Sequence, residues 1–567
     1  MTTSPAAQAA ASLIADLVSD GVRDLVLSPG SRSQALALAA VRAAETGRLR
    51  VHVRIDERVA GFTALGLSRE TGVPTAVLCT SGTAAAHLLP AAMESFHAGV
   101  PLLLLTADRP PELRGVGANQ ATVQPGLFGA FVRDAVDAPV PDGDGPDWSG
   151  LAERAIAAAM GADAPRGAPS AHGLPGVAGP VHLNLPSREP LSGEARVVPL
   201  APGPAPRPHH PSPLVLVRGP RTVVVAGADA GADAEHLAHA GGWPLIAEIV
   251  SGARFGRHLV HGYRGLLRRD DLGGAIERAV VLGHPTLSRE VAALLARTDV
   301  EVVAVRRGGE ELNLNHRTRS AASVEVAGAP GPATPDDRAW LGAWLEASAA
   351  AAVDLSAPAP DPVALLSTDA AARRGAVAAE LAAVRRPLDR ELLVDAVWRA
   401  TWPHDRLVFG SSRLVRVADA VLGGKKVPVH ANRGLAGIDG TIATATGVAL
   451  ASQAGGAAGV TRVLLGDLSL LHDVGAFLLP PDEPEPRLQV IVGNDGGGTI
   501  FDGLEVAGTA APADLDRAFY TPHRVQLAQL ALAYGWEHRL VTTRTALDQV
   551  LTQPVGGRQL IEVPLDR

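Results

Sequence analysis

Short β-branched and leucine-rich runs alternate along the 567 residues with longer alanine-rich stretches. That rhythm predicts repeated β-α units built on parallel sheets. Three blocks are visible. The first opens with an amphipathic helix near the N-terminus and has strands predicted at Val22–Leu27, Val51–Ile55, Thr75–Cys79, Leu102–Thr106 and Val181–Leu185. A proline- and glycine-rich stretch at 164–179 reads as a surface loop, and the prolines of 197–213 read as an extended linker. The second block, from Leu214, has strands predicted at Thr222–Ala226, Ala279–Leu282 and Val300–Val305, then alanine-rich helix to about Arg385, broken by a second linker at 356–362. The third opens with a helix over Asp389–Ala400, followed by strands at Leu407–Phe409, Val427–His430, Arg462–Leu465 and Leu488–Val492. The expected architecture is therefore α/β, with three doubly wound parallel-sheet domains at 1–196, 214–365 and 386–567.

Residue counts then remove whole chemistries. The two lysines, Lys425 and Lys426, are adjacent, so there is no P-loop and little scope for a lysine Schiff base. Arginine must do nearly all the cationic work. The lone cysteine, Cys79, rules out an internal disulfide and a Cys-pair zinc site, and suits a reducing, cytoplasmic setting. The pairs His236 with His239 and His258 with His261 read as structural. A net charge of −8 without a basic stripe argues against nucleic acid, and no apolar run is long enough to insert in a membrane.

In open parallel sheets ligands gather beyond the carboxyl ends of the strands. Polar turns collect there in this chain: Ser28–Ser33, Asp56–Arg58, Thr80–Thr83, Asp108–Arg109 with Asn119–Gln120, Ser411–Arg413, Asn432–Gly434, Gly466–Asp467 and Gly493–Gly496. The strongest pairing is Gly466-Asp467 followed, after 26 residues, by Asn494. A carboxylate and an amide oxygen at neighbouring strand ends are hard ligands suited to Mg²⁺ and a substrate phosphate. The bare backbone of Gly496–Gly498 could approach a diphosphate or lend a carbonyl. A plainer reading has Asp467 capping a helix and Asn494-Asp495-Gly496 making a turn.

The segment GDLSLLHDVGAFLL…LQVIVGND resembles the diphosphate and magnesium motif of thiamine-diphosphate enzymes, and the residues from Ile55 to Pro110 are similar to their pyrimidine domain. The resemblance implies domains of the thiamine-diphosphate-enzyme type: pyrimidine-binding, central, and diphosphate/Mg-binding. It implies thiamine diphosphate with Mg²⁺, Mn²⁺ being an alternative, held through Asp467, Asn494 and the Gly496 carbonyl. Ser81, Gly82, Gly466, Leu468, Ile438, Ile500 and Phe501 would line the cofactor, Ile438 bending its two rings into a V. Glu57 would be the catalytic acid that hydrogen-bonds the aminopyrimidine ring and so promotes proton loss from the thiazolium carbon.

Within that superfamily, SPGSRSQALALA, TADRPPELRGVGANQATVQ, GPVHLNLPSREPL, NRGLAGIDGTIATATG and GTIFDGLE resemble the 2-succinyl-5-enolpyruvyl-6-hydroxy-3-cyclohexene-1-carboxylate synthases of menaquinone biosynthesis. Members of that family decarboxylate 2-oxoglutarate and add the remaining succinyl unit to isochorismate. Both substrates are dicarboxylates, which arginine grips in planar, bidentate fashion. Ser31, Arg32, Arg109, Asn119, Gln120, Ser412, Arg416 and Arg433 are the expected substrate contacts, and Arg306 or Arg307 is read as surface. The resemblance also implies a homodimer or a dimer of dimers, with one cofactor between two chains. An acetolactate-synthase-like or simple 2-oxo acid decarboxylase is the nearest competing reading. A nicotinamide-dependent dehydrogenase built on Gly227–Gly231, or a non-catalytic binding protein, is a more distant one. The departures are Asp495, where relatives often have asparagine, and the acidic loop 479–487, to which the sequence assigns no role.

Overall fold

Every strand pairing among the described residues of the computed structural model is parallel. Those residues are 4–143, 147–162, 176–196, 198–201, 203–204, 212–305, 307–328, 334–356 and 359–567. Arg306, most of the 197–213 linker and most of the 164–179 loop lie outside them. The first sheet has six strands in the order Arg50–Val53, Asp24–Leu27, Thr75–Cys79, Leu102–Asp108, Pro180–Pro186, Asp134–Asp137. The last sheet repeats that order as Val429–Ala431, Arg406–Phe409, Thr461–Gly466, Leu488–Asn494, Arg558–Pro564, Glu537–Leu540. Between them in sequence a five-stranded sheet runs Arg319–Ala321, Glu301–Val305, Arg278–Leu282, Thr222–Ala226, Leu245–Ala247. A two-stranded pair, Val324–Val326 with Leu214–Leu216, stands beside it.

Central strands such as Thr75–Cys79, Leu102–Asp108, Thr222–Ala226 and Arg278–Leu282 are buried at every residue. Helices cover both of their faces, which is why they read as unbroken apolar runs. Of the strands that hydrophobic patterning does not predict, Asp134–Asp137 and Glu537–Leu540 are polar edges, Leu245–Ala247 has three residues, and Arg558–Pro564 lies inside the last sheet with polar residues breaking its apolar run. At the end of the second linker Asp361 caps the short helix Pro362–Leu365.

In each six-stranded sheet the helix after the edge strand carries the close contact between the first and last thirds of the chain. Asp56 accepts the N–H groups of Arg58 and Val59, starting the helix Glu57–Thr71, and Gly72 ends it in a left-handed conformation (φ 69°). Its counterpart is Thr441–Ser452. A Cβ on Gly66 would lie 2.0 Å from the Thr444 carbonyl oxygen, and one on Gly447 would lie 2.1 Å from that of Thr63. Only glycines let the two backbones come this close.

A second link is the acidic loop 479–487. The Glu483 carboxylate accepts the Val53 N–H and an Arg54 N–H (2.8 Å), joining residues 430 apart in sequence. This loop therefore fastens the last third of the chain to the edge strand of the first.

Candidate active site

Glu57 is the first residue of its helix, at the carboxyl end of the sheet edge, and is half-buried. Asp56 does the capping, so the Glu57 carboxylate is spared that task. The neighbouring Arg58 donates to the carbonyl of His472 (2.9 Å) and lies 3.7 Å from Asp473. Asp473 is fully buried and accepts the Ile442 and Ala443 N–H groups, anchoring the start of the Thr441–Ser452 helix. Burial, partly offset by those bonds and by Arg58, pushes its pKa up to about 7. Because the folded value exceeds the unfolded one, the folded state binds more protons between these pKa values, and the group's stabilising share falls as pH rises from about 4 to about 7. The unfolding free energy of the wild type, relative to Asp473→Asn, should thus fall between pH 4.5 and 8. A pH-independent difference in urea melts would contradict it.

The first group of arginines meets at the ends of the first sheet. Asp108, wholly buried, accepts the Arg109 N–H (2.7 Å), the amide of Asn184 (2.9 Å) and the Arg114 guanidinium (2.9 Å). Arg109 in turn donates to the Ser81 hydroxyl, which donates to the Gln120 carbonyl (3.1 Å). The Gln120 side chain returns a bond to the Ser81 carbonyl (2.8 Å), with its backbone in the left-handed region (φ 55°). The Gly82 N–H donates to the buried Gln124 (2.8 Å). Burial first, and then the charge of Arg32, lower the pKa of Arg109, which marks the two cations as neighbours. Arg32 donates to the Ser187 carbonyl (3.4 Å), while Ser31 and Asn119 are exposed.

At the last sheet, Gly466 pairs in register with Gly493, so the residues that follow them come side by side: Asp467, opening the helix Asp467–His472, and Asn494, ending its strand. The plainer reading is met in part: Asn494 accepts the N–H of Gly496 (3.3 Å) in a turn, whereas Gly466 is the N-cap of the helix Asp467–His472 and Asp467, its first residue, accepts the Leu468 N–H (2.7 Å). Asp467 is buried, with its other oxygen 3.1 Å from His523. Burial, and then the charge of Asp495, push its pKa up. Asp495 takes bonds from Arg390 (2.8 Å) and Thr499, and Asn494 donates to Glu562 (2.8 Å). Gly496 is left-handed (φ 72°) and its carbonyl accepts from Arg567 (3.2 Å). A carboxylate, an amide oxygen and a carbonyl are the hard donors Mg²⁺ takes. The residues present fit the metal. Ile500 and Phe501 are half-buried beyond them, Phe501 edge-on to Phe519 (5.2 Å). Nothing in the spacing pointed to His523, Arg390 or Thr499, which come from separate loops and a helix start.

The second arginine group stands beside this cluster. Gly466 faces Ser412, whose hydroxyl oxygen is buried without a hydrogen-bond partner. Arg416 donates to the Ser412 carbonyl (3.2 Å). Arg433 is buried and donates to the Thr286 hydroxyl (2.8 Å), the Thr286 carbonyl (3.2 Å) and the Ser411 hydroxyl (3.3 Å). No hydrogen bond joins the candidate residues of this group to those around Arg109. Ile438 lies partly exposed in the loop before Thr441, and Arg307 donates to the Asp229 carbonyl (2.9 Å) on the surface of the middle sheet. His258 bonds the Ala238 carbonyl (3.1 Å) and stacks on His239.

Residues 8–127 match the family model described as thiamine pyrophosphate enzyme, N-terminal TPP binding domain. The chain is 53% identical over 588 aligned residues, covering 100% of itself and 97% of the relative, to a 2-succinyl-5-enolpyruvyl-6-hydroxy-3-cyclohexene-1-carboxylate synthase of Leifsonia xyli subsp. xyli. Proteins of the same name from Clavibacter michiganensis subsp. michiganensis (52%, covering 100% and 97%) and Kineococcus radiotolerans (44%, covering 99% and 96%) are also similar. Among solved structures, benzoylformate decarboxylase from Polynucleobacter necessarius superposes with a TM-score of 0.63 at 15% identity, covering 100% of this chain and 99% of that one, a likeness of fold.

Proposed function

This chain belongs to the 2-succinyl-5-enolpyruvyl-6-hydroxy-3-cyclohexene-1-carboxylate synthase family, and from that premise we propose that it converts 2-oxoglutarate and isochorismate to the product of that name, with release of CO₂, in menaquinone biosynthesis. It is a thiamine-diphosphate-dependent enzyme. The cofactor supplies the carbon centre on which a 2-oxo acid can lose CO₂ and its remainder can be transferred. The single observation that carries the site assignment is the register of Gly466 with Gly493, which sets Asp467 and Asn494 side by side at strand ends about 4.8 Å apart.

The rest of the assignment follows the family resemblance. Asp467, Asn494 and the Gly496 carbonyl would hold Mg²⁺. Ser81, Gly82, Ile438, Gly466, Leu468, Ile500 and Phe501 would hold the cofactor's organic parts, Ile500 and Phe501 also excluding water. Glu57 would hold and return a proton at the aminopyrimidine ring. The Arg32 and Arg109 group, with Ser31, Asn119 and Gln120, and the Ser412, Arg416 and Arg433 group would each grip carboxylates. Units 1–196, 214–365 and 386–567 would be the pyrimidine, central and diphosphate domains.

We assign the assembly to at least a homodimer, with one cofactor shared between two chains. What supports this is where the loops go: the Glu57 loop binds His472, at the opposite end from Asp467 of the helix Asp467–His472. Apolar residues of the candidate loops, Ile55 (70% exposed) and Val123 (78%), lack cover within one chain. Among the described residues no helix is long and apolar enough to cross a membrane. We place the enzyme in the cytoplasm.

Mass detection of the product from 2-oxoglutarate and isochorismate, with and without thiamine diphosphate, tests the reading. Turnover of pyruvate alone would favour the acetolactate-type alternative. Asp467→Ala should weaken Mg²⁺-dependent cofactor binding at least about 100-fold in calorimetry. Unchanged affinity would remove Asp467 from the metal site.

A further inference from the structure

Arg433 comes from the last third of the chain, yet its guanidinium is held chiefly by the loop that follows the middle-sheet strand Arg278–Leu282. Thr286 takes two of its N–H groups, one on the hydroxyl and one on the carbonyl, and His284 faces the Arg433 carbonyl through Nδ1 at 3.1 Å. With the Ser411 bond, three of five N–H donors are engaged, leaving one on each terminal nitrogen. Two such donors, side by side, suit one carboxylate.

The segment that holds Arg433 is itself braced. Glu248, fully buried after the strand Leu245–Ala247, accepts the N–H groups of Thr286 (2.9 Å) and Leu287 (2.7 Å). Ala228 and His284 exchange two backbone hydrogen bonds (3.0 and 2.9 Å). A Cβ on Gly227 would lie 2.0 Å from the Pro285 nitrogen, and one on Gly283, left-handed at φ 71°, would lie 2.3 Å from the Ala228 oxygen. The glycine-containing turn Gly227–Gly231, which reads faintly like a nucleotide turn in the sequence, thus serves as a backbone abutment for residues 283–287.

We propose that the segment 283–287 of the middle domain, through Thr286 and braced by Glu248, is a positioning element that presents the free edge of Arg433 to a substrate carboxylate. The middle domain then contributes to substrate specificity without binding a cofactor of its own. This rests on the reading of Arg433 as a carboxylate-gripping residue. Arginine has many rotamers, and a guanidinium fixed on one edge loses less freedom on binding than a mobile one.

The test is Thr286→Val, which keeps the shape and removes the hydroxyl acceptor, beside Thr286→Ser, which keeps an acceptor. In the holoenzyme, Thr286→Val should raise KM for one of the two substrates about tenfold, the scale of a lost bond to a charged group, with kcat within about twofold. Thr286→Ser should stay near wild type, and in an Arg433→Ala background Thr286→Val should add nothing. Calorimetric affinity for isochorismate alone and for succinate gives a second readout independent of turnover. An unchanged KM and affinity in Thr286→Val, or an equal loss in the Arg433→Ala background, would overturn the proposal. A wild type without turnover, but with the affinity difference intact, would strike the functional reading and still support the positioning role.

Discussion

Glu57→Gln is expected to lower kcat for product formation by about 10²–10⁴-fold, the usual contribution of a positioned acid-base group. The amide keeps the size and much of the polarity of the side chain but cannot pass a proton to and from the aminopyrimidine ring. Folding should be untouched. Asp56 starts the helix, and no hydrogen bond or ion pair among the described residues depends on the Glu57 carboxylate. Thermal unfolding and cofactor affinity within a small margin of wild type, together with the loss in kcat, would identify a catalytic defect. Normal turnover in the variant would reject Glu57 as the activating acid.

Gly66→Ala should be strongly destabilising. Its Cβ would meet the Thr444 carbonyl oxygen at 2.0 Å and the carbonyl carbon at 2.8 Å, both backbone atoms of a buried helix that cannot step aside. Overpacking of this kind costs about 1–3 kcal/mol and more where the neighbour is rigid; here we expect at least about 3 kcal/mol. Gly342→Ala is the control. It lies in the helix Pro335–Ala351 with no atom within 4 Å of the added carbon, so it should gain about 0.5–1 kcal/mol from helix propensity. Urea melts of the two variants should move in opposite directions, and equal shifts would show that the two helices can separate without cost.

Most buried central strands were legible because both faces are apolar, and their ends showed where polar turns collect; Arg558–Pro564 was not, because arginine, glutamine and glutamate interrupt its apolar run. Edge strands such as Glu537–Leu540 were not, because solvent removes the hydrophobic signal from them. Asp467 and Asn494 could be read because one strand register brings together two segments of fixed spacing. His523, Arg390 and Thr286 could not, since each reaches its partner through tertiary packing that leaves no period or spacing behind. The acidic loop 479–487 could be given no role for the same reason: its partner strand lies 430 residues away.

That separation has a price in time during synthesis. On a ribosome adding about 5–20 residues per second, the strand Arg50–Val53 emerges roughly 20–90 s before Glu483 exists to meet it. Throughout that interval His52 and Arg54 have no acidic loop over them, and one edge of a finished first domain stands open. The nascent chain therefore passes through a long-lived, half-built state. Holdase chaperones would be expected to bind it until the last third arrives and closes that edge.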